Sequence, residues 1–275
     1  MLSVASRALD GVRIAYDVHG AGEPAVVLIH GWCCNRTHWR AQVAPLARRG
    51  HVVALDLAGH GESGSARTDW TTAAFGADVA AVVDDIGATE VILVGHSMGA
   101  DVALEAARVL PDRVRGIVWI DQYTQLSHLM GEAEVAARVA PFRADFAATA
   151  RAFVRRLFAA DADPALVAGV SEEMASAPET MACAALGATW NHARSVPALL
   201  RELRLPVVAI NARDPGADPA SLQAHGVAVL DFPEAGHFPM LEKPAAFTAR
   251  LATALDLIGR RAARNDLPDL PPCRS

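Results

Sequence analysis

Val91-Ile92-Leu93-Val94-Gly95-His96-Ser97-Met98-Gly99 is the stretch on which the reading of this chain turns. Four apolar residues in a row are the pattern of a strand covered on both faces. Met98–Leu110 has helical spacing and stops before Pro111, whose predecessor is disfavoured in the helical region. Between strand and helix, Gly95 to Gly99 fits G-x-S-x-G. In that context the pentapeptide predicts a nucleophile elbow, a tight strained turn that lifts the Ser97 hydroxyl above the carboxyl edge of a sheet. The helix N-terminus beneath it favours developing negative charge. Without the flanking strand and helix, the same residues would read as an ordinary glycine-rich turn.

Outward from this point the chain alternates between strands and helices, the signature of a parallel sheet wrapped on both faces. Val4–Leu9 and Val12–Asp17 are predicted as a hairpin across Asp10-Gly11. Ala25–His30 and Val52–Leu55 are buried strands, separated by a helix over about Thr37–Arg49. Thr72–Ile86 is a helix with Phe75, Val79, Val82, Val83 and Ile86 as its apolar stripe. Val114–Ile120 is the next strand. Gln122–Arg204 then contains no convincing strand and is alanine-rich with helical spacing. The alternation resumes with strand Val207–Asn211, helix Pro219–Ala224, strand Val227–Phe232 and helix Pro244–Ile258.

An insertion of ~80 helical residues beyond a strand end predicts a cap over an active site on the sheet edge. The expected organisation is therefore a core of residues 1–121 and 205–259, a helical cap over 122–204 and a loosely held tail over 260–275. Composition fits a soluble globular protein: of 275 residues, 52% are hydrophobic and 20% charged, with net charge −6. The acidic balance argues against nucleic acid as a partner. No apolar run approaches the ~20 residues of a membrane span, and Met1–Asp10 lacks the features of a secretory signal. Cys33, Cys34, Cys183 and Cys273 match no zinc pattern and no disulfide framework, so reduced thiols in a cytoplasmic protein are expected. No cofactor or metal is implied, and self-association is left open.

His237, in Ala-Gly-His-Phe-Pro just after a strand, is the candidate base. A hydroxyl is a poor nucleophile until a base takes its proton, and a histidine near pKa 6.5 suits that task. The order serine first, histidine last is that of G-x-S-x-G hydrolases. Asp214 follows strand Val207–Asn211 and precedes His237, so chain order favours it as the acid that holds the imidazole. Asp121, at the end of Val114–Ile120, is the alternative, and Asp218 is a third candidate. The backbone amides of Trp32 and Met98 are the expected oxyanion donors.

Two further motifs read less sharply. Gly59-His60-Gly61-Glu62-Ser63-Gly64 fits G-x-G-x-x-G literally. However, polar Ser65–Asp69 follows where a dinucleotide-binding helix should start, and the acidic residues ~20 further on, Asp84 and Asp85, fall inside a helix. It reads as a turn. Cys33-Cys34 reads as a pair of small loop residues, with only Arg36 close enough in sequence to favour a thiolate.

The stretches LIHGW (28–32), DLAGHGESG (56–64), VGHSMGA (94–100) and GHFPMLEKP (236–244), in this order, resemble the α/β-hydrolase superfamily over nearly the full length. The resemblance implies a mostly parallel eight-stranded sheet with helices on both faces and a helical cap after the sixth strand. Serine at the elbow is unlike the dehalogenases and epoxide hydrolases of that superfamily. It points to acyl chemistry on small esters, lactones or thioesters, or to C–C bond hydrolysis. Ala100 and the Asn-Ala-Arg-Asp stretch at 211–214 each lack a glycine usual in the family. Gly31-Trp32-Cys33 and Asp121 also suit a rarer branch, the cofactor-free dioxygenases of quinolone-type heterocycles, which use a histidine–aspartate pair. A non-catalytic binding module on the same fold is the third reading. In the cap, Phe142, Phe146, Met181, Trp190 and His192 are candidates either to face the substrate or simply to pack the helices.

Overall fold

The computed structural model describes residues 2–8, 10–212 and 214–264. Strand β1 (Leu2–Arg7) turns back into β2 (Arg13–His19), and β3 (Ala25–Ile29) follows. Helix α1 (Arg40–Ala47), β4 (Val52–Leu55), α2 (Thr72–Asp85), β5 (Val91–His96), α3 (Met98–Val109) and β6 (Val114–Ile120) continue the alternation. Five helices then run without a strand: α4 (Glu132–Ala144), α5 (Phe146–Arg155), α6 (Pro164–Ala175), α7 (Glu179–His192) and α8 (Val196–Leu203). The chain returns through β7 (Val207–Asn211), α9 (Pro219–Gln223), β8 (Val227–Asp231), α10 (Pro239–Glu242) and α11 (Pro244–Arg264).

The eight strands form one sheet in the order β1-β2-β4-β3-β5-β6-β7-β8. From β4 to β8 every pairing is parallel, while β1 and β2 are antiparallel additions at one edge. Strand order reverses at β3: the chain leaves it for β4 on one side, then crosses back to β5 on the other. Connections that diverge in this way leave a crevice beyond the carboxyl ends of the strands, where open parallel sheets bind their ligands. The loops after β3 and β5, carrying Trp32 and Ser97, meet at that point. Every residue of β4 and β5 is buried, which explains their unbroken apolar sequence.

Most strand and helix ends shift by one or two residues from expectation, and two elements differ more. The helix predicted over Thr37–Arg49 is split into a 3-10 turn, Arg36–Trp39, and α1. Asn35 caps the turn, its side chain accepting from the Thr37 amide at 2.9 Å, and Trp39 sits outside helical geometry at φ −89°, ψ 1°. The last helix runs past Ile258 to Arg264, taking in the start of the predicted loose tail. The rest of that tail, with Cys273, lies outside the described residues. No helix among the described residues is long and apolar enough to cross a membrane.

A buried cluster of charge ties the sheet layer to the helices above it. Asp101 and Glu105, one turn apart on α3, accept from the two ring nitrogens of His192 on α7, each at 2.8 Å. The Tyr123 hydroxyl and Gln122 Nε2 also donate to Asp101. Burial opposes charge on His192, but the hydrogen bonds to Asp101 and Glu105 outweigh it and raise its pKa to about 9. A raised histidine stabilises the fold fully below its ordinary pKa near 6.5, and that stabilisation is lost as pH climbs through about 9. Thermal melting should therefore fall between pH 7 and 9.5. The His192→Gln variant should melt lower at pH 7, by at least about 4 °C, and lose less on going to pH 9.5. Parallel pH profiles for the two proteins would show that His192 carries no such charge.

Candidate active site

Ser97 links β5 to α3 at φ 50°, ψ −124°, a left-handed conformation that costs a serine about 1–3 kcal/mol. The turn persists because its surroundings dictate it. The Ser97 amide donates to the Ile120 carbonyl on β6 at 2.9 Å. A Cβ on Gly99 would sit only 2.5 Å from the Ile29 carbonyl oxygen and 2.6 Å from that of His30, so only glycine lets α3 start this close to β3. A Cβ on Gly95 would overlap the Gly99 carbonyl in the same way. The hydroxyl of Ser97 thus faces the crevice above the sheet.

His237 lies in the loop after β8 and is fixed from several sides. Its amide donates to the Leu157 carbonyl at 2.8 Å, and its own carbonyl accepts from His96 Nε2 at 2.7 Å. Glu242, on α10, accepts from the amides of Gly236 and Phe238, each at 3.1 Å, and from Ala159 at 2.9 Å. One carboxylate therefore pins both flanks of His237 and the loop between α5 and α6.

The carboxylate that meets His237 is Asp121, not Asp214. His237 Nδ1 donates to Asp121 Oδ2 at 2.7 Å, while Asp121 Oδ1 accepts from the Ala212 amide at 2.8 Å. Asp121 directly follows β6, which lies beside β5, so its side chain emerges next to Ser97. It holds φ 49°, a conformation that aspartate tolerates better than most residues. Asp214 lies three residues beyond β7 and turns elsewhere: it accepts from Thr124 Oγ1 and the Gly216 amide, each at 2.8 Å, and lines a separate cavity with Pro219 and Val229. Asp218 caps α9 through the Ser221 amide. Chain order alone does not separate these carboxylates, because it says nothing of which strand adjoins β5.

Ser97, His237 and Asp121 share a cavity of about 140 Å³ with Trp32 and Met98. Around the proposed oxyanion donors the neighbouring amides are already committed: Ser97 to Ile120, Cys33 to His60 Nε2, and Cys34 to the Gly31 carbonyl. His60 accepts from Cys33 because burial pushes its pKa down to about 4, leaving the ring neutral. The G-x-G-x-x-G stretch is thus a turn that positions the Trp32 loop. Asp56 anchors it, accepting from the Glu62 amide at 2.9 Å and from Arg36, whose guanidinium also reaches Asp17 and Glu62. No helix follows until Thr72.

The helices between β6 and β7 roof the cavity with Phe153, Leu157, Met174, Leu186, Thr189 and Trp190. Of the roof residues singled out from the sequence, only Trp190 lines it. Phe142 and Phe146 pack edge-on against the Trp32 ring, which itself lines the cavity and donates through Nε1 to the Ala182 carbonyl at 2.7 Å. Met181 packs near Gly59, and His192 belongs to the buried ion cluster. Helical spacing shows which residues share a face, but not which of two buried neighbours that face meets. No group of histidine, cysteine and acidic residues among the described residues has the arrangement of a metal site.

Residues 26–251 match the model of the alpha/beta hydrolase family, and the chain belongs to that family. It is 37% identical over 114 residues to an uncharacterized protein of Mycobacterium tuberculosis, covering 42% of this chain and 33% of the relative. It is 40% identical over 100 residues to epoxide hydrolase B of the same species, covering 35% and 28%. The matched stretches thus span about a third of these relatives. Among solved structures, a thermophilic esterase from Thermogutta terrifontis superposes with a TM-score of 0.79 at 25% identity, covering 94% of this chain and 99% of that one. The enol-lactonase of Burkholderia xenovorans gives 0.78 at 21%, covering 92% and 100%, a likeness of fold.

Glu242 escaped the sequence reading, although it stands five residues after His237 on the same short motif. Removing it should loosen the His237 loop without disturbing the sheet. In Glu242→Ala, hydrogen exchange at the Gly236 and Phe238 amides should quicken at least ~10-fold, as expected for losing a charged acceptor. Exchange in β5 should not change. Unaltered exchange at both loop amides would mean that the loop is held by other contacts.

Proposed function

We propose that the chain is a serine hydrolase of small esters or lactones. The observation that carries this reading is Ser97 held at φ 50° on the elbow, in one cavity with a His237 ring whose Nδ1 is bonded to Asp121. The likeness to the Thermogutta esterase supports it.

In this reading the substrate carbonyl lies above Ser97 with its oxygen toward the Trp32 and Met98 amides. His237 Nε2 takes the Ser97 proton as Oγ attacks the carbonyl carbon. Asp121 holds the tautomer that keeps Nε2 free and stabilises the imidazolium that forms. The two amides stabilise the oxyanion by roughly 3 kcal/mol each. His237 then protonates the leaving alkoxide, leaving an acyl group on Ser97. Water, activated by the same ring, releases the acid. In a lactone the leaving alkoxide stays tethered to the acyl group. The small cavity and its apolar lining favour an acyl portion of a few heavy atoms.

One observation favours a second reading. A histidine paired with an aspartate after β6 is also the arrangement that a cofactor-independent oxygenase of heterocycles would need. The two differ in what Ser97 does. On an ester panel, Ser97→Ala should lose at least ~10³ in turnover, and a fluorophosphonate should add to Ser97 by mass spectrometry. Asp121→Asn should lose up to ~10⁴, whereas Asp214→Asn should stay within a few-fold of wild type. Folding of each variant is checked by melting. A folded Ser97→Ala protein with full turnover, accompanied by dioxygen uptake, would replace the hydrolase with the oxygenase. A crippled Asp214→Asn enzyme beside a healthy Asp121→Asn would overturn the assignment of the acid.

A further inference from the structure

The cavity above Ser97 is walled mainly by aromatic and aliphatic side chains, so a polar group left open in it selects among substrates. Outside Ser97, His237 and Asp121, most polar groups in the wall are committed. Trp32 Nε1 donates to the Ala182 carbonyl, the Cys34 thiol donates to the Trp32 carbonyl, and His96 Nε2 donates to the His237 carbonyl. Gln122 and Thr189 remain.

Gln122 follows Asp121 directly, and its amide is oriented from behind. Nε2 donates to Asp101 Oδ2 at 2.7 Å, on a side chain wholly buried in α3. His192 and the Tyr123 hydroxyl donate to the other oxygen of Asp101. A carboxylate only accepts, so the amide cannot turn round and set its own oxygen there. Gln122 is half-buried, with its NH2 facing inward, so the end left open is Oε1. That oxygen accepts from no group among the described residues. Thr189 sits one turn before His192 on α7, on the face that meets Asp101, and therefore on the Gln122 side of the cavity. It is 4% exposed, and its Oγ1 has no hydrogen-bond partner.

We propose that Gln122, with Thr189 beside it, selects an acyl group that bears a hydroxyl, so that the substrates are small neutral hydroxy-acid esters or lactones. The proposal rests on the hydrolase reading, because it places the substrate carbonyl above Ser97. The substrate hydroxyl donates to Gln122 Oε1 and accepts from Thr189 Oγ1. It meets both groups with one heavy atom, which suits a cavity of about 140 Å³. A carboxylate in its place would find no lysine or arginine among the described lining residues, and would face Asp121. An unsubstituted acyl chain would shut Oε1 away from water without giving it a partner. That loss is how a site built to bind a hydroxyl rejects an analogue lacking one.

The test reads binding and turnover separately, on the folded full chain. Short-chain methyl ketones, which have no ester bond to cleave, are titrated by calorimetry. The set holds the plain ketone, ketones with a hydroxyl at each successive carbon, and counterparts with fluorine there, similar in size but unable to donate. At one position the hydroxyl should tighten binding at least ~10-fold over both the plain and the fluorinated ketone. The matching ethyl esters should show the same preference in kcat/KM. Gln122→Met, which leaves Asp101 bonded to Tyr123 and His192, should bring both ratios close to one. Thr189→Val should shrink them by a smaller factor, and decides if Gln122→Met does not fold. A hydroxyl preference among the ketones with no ester turned over would remove the hydrolase reading and leave the selecting pair in place. Esters turned over without a hydroxyl preference, or a preference that both variants keep, would overturn the proposal.

Discussion

The strained turn at Ser97 depends on a close approach of backbone to backbone, and the rest of the site depends on that turn. The start of α3 lies against the ends of β3 and β5 because Gly95 and Gly99 present no Cβ there. The Ser97 amide is spent on Ile120 of β6, which fixes the elbow to the neighbouring strand. Asp121 follows Ile120 directly, so the hydrogen bond that orients the serine also sets the height of the carboxylate. His237 then has one place to stand, between the two. A strand order that reverses at β3 places all three loops at one crevice.

Buried charge holds the loops that the sheet cannot reach. Arg36 gathers Asp17, Asp56 and Glu62, and so fixes the Trp32 loop to the turn after β4. Asp101 gathers Tyr123, Gln122 and His192, tying the segment just after Asp121 to α3 and α7. Glu242 does the same for the two flanks of His237. Such groups are expensive to bury and are tolerated only when fully bonded. The same interactions give a roof joined to the sheet by ionisable groups: His192 to Asp101 and Glu105, His38 to Glu173. The fit between roof and sheet is therefore partly electrostatic, where helix packing alone would be apolar.

Much of this was legible in the sequence. Apolar runs of four or five residues separated by helical spacing identify the parallel sheet, since a strand covered on both faces has no reason to alternate. The elbow is legible because G-x-S-x-G needs glycine on both sides for steric reasons local to the turn. His237 is legible because its loop follows a strand and comes last. Most residues that roof the cavity, Trp190 apart, were not. Phe153 and Leu157 line it while Phe142 and Phe146 pack behind Trp32, a distinction set by how five helices lie on one another.

The partner of His237 shows the same division. Asp121 and Asp214 both follow apolar strands, and chain order favours the later one. The sheet brings Asp121 to His237, because β6 adjoins β5 and β7 lies one strand further out. His38 meets its carboxylate in the same way, since α6 brings Glu173 from 135 residues away. Neighbours along the chain suffice to specify the strands, the helices, the elbow serine and the histidine loop. Tertiary structure alone decided which carboxylate meets each histidine, because an ion pair forms by proximity in space and that is set by strand order and helix packing.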